Sequence, residues 1–344
     1  MSGDAEFVRI LKRLVEGETL DTETADAAFT AIVAGEVSEA RAASLLTALA
    51  LRSPTVEEIA GAASAMRGAM RSISAPEGAI DLCGTGGDGQ GTLNISTAAS
   101  FVVAACGVPV AKHGNRNMSS RTGAADVLEA LGIRIDLTPT AAAACLAETG
   151  LCFLFAPTYH PAMKHVAPVR KELGFRTVFN LLGPICNPGR VKRQLLGVFS
   201  ESWIEPLAHV LAKLGTERAW VVHGGDGTDE LTTTTRSFVA ELDHGQVRRF
   251  EITPQDAGLA SARLDDIRGG DAPFNAQALQ CLLAGDGLPA YRDMVILNAA
   301  GALIVAGRAA DLRAAAEMAR GALDNGHAND MCERMRAATA RLAP

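Results

Sequence analysis

Apolar residues between positions 4 and 71 recur every three or four places, the spacing that lines one face of an α-helix. Phe7, Ile10, Leu11 and Leu14 form one such stripe; Phe29, Ile32 and Val33 form the next, opening at Asp21 and ending at Gly35. Ser38 caps a third helix through Leu45, Leu46 and Leu49. Thr55-Val56-Glu57-Glu58 has the spacing of a capping box, and predicts a fourth helix to about Arg71. With no strand pattern between them, these stretches predict a small helical domain. Their apolar faces exceed the needs of one small bundle, which leaves surface for a partner subunit. Residues 72–78, with Pro76 and Gly78, break the pattern and read as a linker or hinge.

From Ile80 onward, short apolar runs alternate with helical stretches. Strands are predicted over 80–83, 108–111, 134–136, 151–156, 195–199 and 219–223. The helices between them cover 98–106, 124–131, a stretch opening at Thr138-Pro139, 160–174 and 203–214, with a loop at 180–184. Strands around Phe238 and Arg249 form a hairpin with its turn at 243–245, and helices near 275–285, 292–306 and 310–324 close the chain. The fold class is α/β: a small N-terminal helical domain hinged to a larger domain with a mostly parallel central sheet flanked by helices. The basic helix at 160–171 is expected to pack with the N-terminal helices. The small domain is then 1–72 plus roughly 160–182, and the large domain 78–160 and 183–344.

Composition narrows the function classes. In 344 residues, 48% hydrophobic content leaves ample core and excludes disorder, and 4% aromatics argue against a stacking platform for single-stranded nucleic acid. The net charge of -7 means that an anionic partner must be held by a local basic patch. One lies between Lys112 and Lys171, where seven Lys and Arg face four Asp and Glu. Seven cysteines without a C-x-x-C pair read as reduced core residues. No basic-then-apolar leader and no run of about 20 apolar residues is present, which predicts a cytoplasmic chain that does not enter a membrane.

The chemistry concentrates after the first two strands of the large domain. Gly84-Thr85-Gly86-Gly87-Asp88-Gly89 follows strand 80–83, with Asn94 or Ser96 placed to cap the next helix. The second strand delivers Lys112, His113, Asn115 and Arg116 into another loop. In a parallel sheet both loops open at one edge, so backbone N–H groups and cations converge on an anion, a phosphate site. The run matches G-x-G-x-x-G, but a dinucleotide fold needs an acidic residue where Lys112 stands, and Asp88 would repel a pyrophosphate without a metal. A nucleotide P-loop fails because no G-K-[ST] follows. A plain tight turn needs one or two glycines, not four flanked by donors. Asp229-Glu230, after a predicted strand, is a second candidate; adjacent carboxylates are usually solvated, but beside phosphates they suit magnesium. His160 and His165, five apart, do not share a helical face for zinc. His113 is either a donor or a supporting residue, and no nucleophile–base set can be assigned.

Gly84-Thr85-Gly86-Gly87-Asp88, Asn94-Ile95-Ser96-Thr97 and Lys112-His113-Gly114-Asn115-Arg116 together resemble the anthranilate phosphoribosyltransferase family. The resemblance continues through the run from His160-Pro161-Ala162-Met163-Lys164-His165 to Arg170, through Phe179-Asn180-Leu181-Leu182-Gly183-Pro184, and at Asp229-Glu230 and Asn298-Ala299-Ala300. It implies transfer of a phosphoribosyl group from phosphoribosyl pyrophosphate (PRPP) to the amine of anthranilate, in tryptophan biosynthesis. It places Gly84, Gly87, Asp88, Thr92, Asn94, Ile95, Ser96, Thr97, Lys112, His113, Gly114, Asn115, Arg116, Asn117, Met118, Ser119, Ser120 and Ala124 at PRPP. Gly84, Asn115 and Arg170 fall at anthranilate, and Ser96, Asp229 and Glu230 at magnesium, two ions per subunit. It further implies a homodimer through the helical domain. Leu93 and Asn117-Met118 depart from the family's usual phenylalanine and smaller pair. Pyrimidine nucleoside phosphorylases share the architecture, but take free phosphate and need no carboxylate pair for magnesium. A nucleic-acid-binding paralogue would call for a basic face, against the net negative charge.

Overall fold

The computed structural model describes residues 3–116 and 122–343. Helices α1 (Gly3–Val15), α2 (Thr22–Ala34), α3 (Glu39–Arg52) and α4 (Val56–Ala69) bury Phe7, Ile10, Leu14, Phe29, Ile32, Val33, Leu45, Leu46 and Leu49, the positions their spacing marks. Asp21 caps α2 through the Thr24 N–H at 2.7 Å, and Gly35 ends it in the left-handed conformation. The capping box at α4 forms, but Glu58 does more than cap. Its fully buried carboxylate accepts the N–H groups of Thr55 (2.8 Å) and Leu20 (2.9 Å) and the Arg52 guanidinium. It thereby ties the approach to α2, the end of α3 and the start of α4 together. Burial opposes its ionisation, yet these three partners hold its pKa below the usual carboxylate value.

The large domain contains seven strands, β1 (Ile80–Gly84), β2 (Val110–Gly114), β3 (Leu151–Phe155), β4 (Arg193–Gly197), β5 (Arg218–Gly224), β6 (Ser237–Asp243) and β7 (Gln246–Ile252). The order is β3-β2-β1-β4-β5-β6-β7, parallel through β5, with β6 and β7 as an antiparallel hairpin at one edge. The remaining helices are α5 (Ile95–Ala105), α6 (Ala124–Ala130), α7 (Pro139–Thr149), α8 (Ala156–Tyr159), α9 (Ala167–Leu173), α10 (Phe179–Ile185), α11 (Ile204–Lys213), α12 (Ala272–Leu283), α13 (Pro289–Val305), α14 (Leu312–Asp324) and α15 (His327–Leu342). One core, between the sheet and α5, α7, α13 and α15, takes Ile80, Leu82 and Val110. The opposite core takes Cys83, Leu196 and Val221 and runs without a break through α10 and α11 into the N-terminal helices.

Two connections meet where the helical part joins the sheet. Arg71 N–H donates to the Tyr159 carbonyl (2.8 Å) and Ile73 N–H to that of Pro188 (3.1 Å). Beside them the Arg67 guanidinium grips the Ile185 and Leu214 carbonyls.

Four expectations are corrected. Residues 134–136 pair with no strand; Arg134 N–H turns to the Thr339 hydroxyl, and the Arg134 and Asp136 side chains pair with each other. The expected loop at 180–184 is helix α10, with Pro184 inside it, where it removes one donor from the short helix. The basic helix is broken into a 3-10 turn at Pro161–His165 and the separate α9, each opening on a proline. Helix α15 was not anticipated; its buried stripe of Ala328, Met331, Cys332, Met335 and Ala338 is made of small or polarizable residues in a polar sequence. All seven cysteines are free, and no described helix is long and apolar enough to cross a membrane.

The Glu58 network sets a pH signature. A depressed carboxylate pKa adds stability above the unfolded-state value, about 4.3, that disappears as pH falls through the folded value. Glu58→Ala should cost about 2–3 kcal/mol near neutral pH, because it leaves Arg52 and two buried N–H groups unpartnered. It should also flatten the acid limb of the stability curve. Urea unfolding at a series of pH values checks both.

Candidate active site

The sheet order places a topological switch between β1 and β4: the chain runs outward through β2 and β3, then returns to the other side of β1. Loops leaving the two strands diverge there and open a crevice at the carboxyl edge. The segment after β5 enters that crevice. A methyl group on Gly197 would lie 1.5 Å from the Asp229 carbonyl oxygen, and one on Gly84 would lie 2.3 Å from Asp229 Oδ2. Both glycines are therefore required by close approach.

The glycine loop is fastened at its two ends. Thr85 N–H donates to the Gly197 carbonyl (2.9 Å), Gly86 N–H to Asp229 Oδ2 (2.7 Å), and Phe199 N–H to the Thr85 hydroxyl (3.0 Å). Further on, Leu93 N–H donates to Ile267 and Gly269 N–H to Gly91, where Thr92 bridges Arg268. Between these ends Gly86, Gly87, Gly89 and Gly91 have φ of 67–76°, or 63° for the last, which glycine adopts freely. This accounts for the density of glycine.

Asp229 and Glu230 come to this crevice as expected. Their own loop is built by Asp226 and Asn298, to which the sequence alone assigned no role. Asp226 gathers the hydroxyls of Thr228, Thr232 and Thr234, and Asn298 of α13 clamps Leu231 through both its N–H (3.0 Å) and its carbonyl (2.7 Å). Glu230 Oε1 accepts the Ser96 N–H at 3.2 Å, so it caps α5 from a distant loop. The expected local cap does not form. Asn94 occupies the position, but its side chain accepts from Asn275 (2.9 Å) and its carbonyl from the Tyr291 hydroxyl. Ile95 and Thr97 are buried, which leaves only their backbone for a ligand.

Lys112 and His113 are corrected from loop to strand, since β2 runs to Gly114 and buries both. Lys112 reaches the base of the glycine loop, donating to the Leu82 carbonyl (2.6 Å) and the Ser96 hydroxyl (3.3 Å). On the other face, the His113 ring lies 5.1 Å from that of His160. Burial and the facing imidazole push His113 down to about 3, and burial pushes His160 down to about 4, so both are neutral. Strands β1 and β2 pair in register only at Ile80 and Val110. Beyond that point the Asp81 carboxylate substitutes for the ladder, accepting His113 N–H (3.0 Å) and the Asn187 amide (2.7 Å), while Asn187 also donates to Ala111 (2.8 Å). Burial raises Asp81 to about 6 against the pull of Lys112.

The remaining candidates divide. Asn115 is exposed and bonds the following N–H, and Ala124 opens α6. Arg116 is exposed, with its charge met by Asp126 and Glu129. Asn117, Met118, Ser119 and Ser120 lie outside the described residues. Arg170 sits on α9, partly buried, 5.9 Å over the Phe179 ring, and no described carboxylate pairs with it. Burial lowers its pKa.

The electrostatics of the crevice favour a cation. Asp229 is raised by burial and by the charge of Asp88, and Glu230 by burial and by Asp229. Among the described residues no three carboxylate, imidazole or thiol groups form a ready-made metal cluster. The protein offers hard oxygen donors (two carboxylates and the Ser96 hydroxyl) and leaves the rest of a coordination sphere to substrate and water. That donor set fits magnesium better than zinc.

Comparison with known proteins agrees with this geometry. The glycosyl transferase family's a/b domain matches residues 76–329, and its helical bundle domain residues 8–70. Anthranilate phosphoribosyltransferase of Azorhizobium caulinodans is 52% identical over 339 residues, 98% of each chain, and a Rhodopseudomonas palustris counterpart is 52% identical over 98% of this chain and 96% of its own. The chain belongs to the anthranilate phosphoribosyltransferase family. Among solved anthranilate phosphoribosyltransferases, that of Thermus thermophilus superposes with a TM-score of 0.91 at 44% identity, over 96% of this chain and 99% of its own. That of Saccharomyces cerevisiae in complex with PRPP and Mg superposes with a TM-score of 0.89 at 27% identity, over 98% of this chain and 99% of its own. The yeast protein is also known in complex with 4-fluoroanthranilate.

Gly197 gives this anthranilate phosphoribosyltransferase family member a sharp test. Gly197→Ala places a methyl on the Asp229 backbone, so the carboxylate loop must move, at about 1–3 kcal/mol. Turnover should fall steeply while the protein still folds, as measured by steady-state rates beside a urea melt. Near-normal rates would mean that Asp229 need not sit over β4.

Proposed function

We propose that this chain transfers the 5-phosphoribosyl group of PRPP to the amine of anthranilate, giving N-(5-phosphoribosyl)anthranilate and pyrophosphate. The observation that carries the reading is the meeting, at one sheet edge, of the glycine loop, the N-terminus of α5 and the Asp229-Glu230 pair. Backbone N–H groups of the loop and the Lys112 ammonium suit the phosphates of PRPP, with Gly84, Gly87, Asp88, Thr92, the 94–97 segment, 112–120 and Ala124 around it. Asp229, Glu230 and Ser96 would hold magnesium, two ions in our reading, which supplies charge neutralisation to the departing pyrophosphate.

Breaking the bond from the anomeric carbon to pyrophosphate builds positive charge on the ribose and negative charge on the leaving group. The site therefore depends on positioning and on anion stabilisation more than on a base. Anthranilate's amine is neutral at physiological pH. Arg170 suits the substrate carboxylate, with Asn115 and Gly84 completing that side.

We further assign residues 1–72 and roughly 160–182 to a small domain that closes on the large one. The packing of α9 on α3 and of α10 on α4 supports this division. Exposed Val15 and Leu51, at the ends of α1 and α3, support a homodimer through the helical part. We place the enzyme in the cytoplasm, in tryptophan biosynthesis.

Loss of anthranilate fluorescence on adding PRPP tests the reaction; no loss with purified protein overturns it. Arg170→Ala should raise the KM for anthranilate about tenfold or more, since one partner of a desolvated charged pair is removed. Arg170→Lys should also impair it, because the two-pronged grip is lost. The KM for PRPP should stay near its original value. Varying each substrate in turn decides the matter, and equal weakening of both contradicts the assignment.

A further inference from the structure

Arg176 lies in the turn between α9 and α10, just past Gly174, where the left-handed backbone ends α9. Its guanidinium crosses to the large domain, donates to the Gly87 carbonyl, and stacks 4.2 Å over the Phe199 ring. Phe199 in turn is bonded through its N–H to the Thr85 hydroxyl at the head of the same loop. No described carboxylate pairs with Arg176, although it is exposed. An exposed arginine usually finds an acid or only solvent. This one holds a carbonyl in the glycine loop, beside residues with left-handed backbone.

The carbonyl matters because of peptide geometry. Among the described residues no peptide is cis, and in a trans peptide the C=O and N–H point in opposite directions. Gripping the Gly87 carbonyl therefore turns the Asp88 N–H away from Arg176. Gly86 and Gly87, with φ of 67° and 74°, rotate that peptide at little cost, so its direction must be set from outside. We propose that Arg176 is a positioning residue for PRPP. It fixes the Gly87–Asp88 peptide in the orientation that presents Asp88 and its N–H to the substrate, and it links the segment carrying Arg170 to the phosphate loop. The proposal rests on the functional reading above.

The test is steady-state kinetics at saturating magnesium with PRPP varied, using fluorescence of anthranilate. Wild-type turnover is established first, so that failure of the functional reading is seen before any variant is made. Arg176→Ala should raise the KM for PRPP about fivefold, the scale of one lost hydrogen bond at an exposed site, with an unchanged melting temperature. Arg176→Lys keeps the charge but not the flat stacking surface, and should recover only part of the loss. Phe199→Leu should shift the KM in the same direction by less. A KM for PRPP that stays at its wild-type value in Arg176→Ala overturns the proposal. So does full recovery with lysine, which would mean a bulk charge effect and no fixed peptide.

Discussion

The close approach of Asp229 to the ends of β1 and β4 governs the rest of this structure. Two strands that diverge at a switch point leave a gap, and here the backbone of another loop fills it to within van der Waals contact of glycine. Any side chain at Gly84 or Gly197 would push the carboxylate pair out of the crevice. The neighbouring bonds follow from that seating. The Gly86 N–H reaches Asp229, Glu230 reaches the start of α5, and Lys112 closes the base through Ser96.

The same seating creates an electrostatic problem. Burial raises the proton affinity of Asp229 and Glu230; the charge of Asp88 adds to it at Asp229, and the charges of Asp229 and Asp88 add to it at Glu230. Lys112 relieves part of it. Carboxylates held in this way bind a hard cation readily, because the cation removes repulsion that folding has already imposed. Support comes from groups at a distance: Asn298 holds Leu231, and the Asp81–Asn187 pair spans the opening between β1 and β2. The site thus combines a rigid carboxylate loop with a glycine loop that is pinned only at its ends and by Arg176.

Much of this was legible in the sequence. Helical spacing around Phe29 and Leu46, the capping box at Thr55 and the strand–helix rhythm after Ile80 all reflect local energetics, and the structure follows them. The glycine run and Asp229-Glu230 announced themselves by residue type. What escaped was set by distant partners. Glu230 caps a helix more than a hundred residues earlier in the chain, which no local pattern encodes. Asn94 sits where a cap should be and bonds Asn275 instead. Lys112 and His113 were expected in a loop because polar residues usually end a strand. Burial with Ser96 and His160 as neighbours carries the strand on to Gly114. Helix α15 hid behind alanines and a polar sequence, since its face packs by fit more than by hydrophobic bulk.

The central claim is that Asp229 and Glu230 make this crevice a metal-dependent PRPP site. Calorimetric titration of PRPP into the protein, with magnesium and then with excess chelator, tests it most directly, alongside the Asp229→Asn, Glu230→Gln double variant. The account predicts binding heat with magnesium, its loss in chelator, and its loss in a variant that melts no lower than the parent. Equal affinity for PRPP under all three conditions would contradict it.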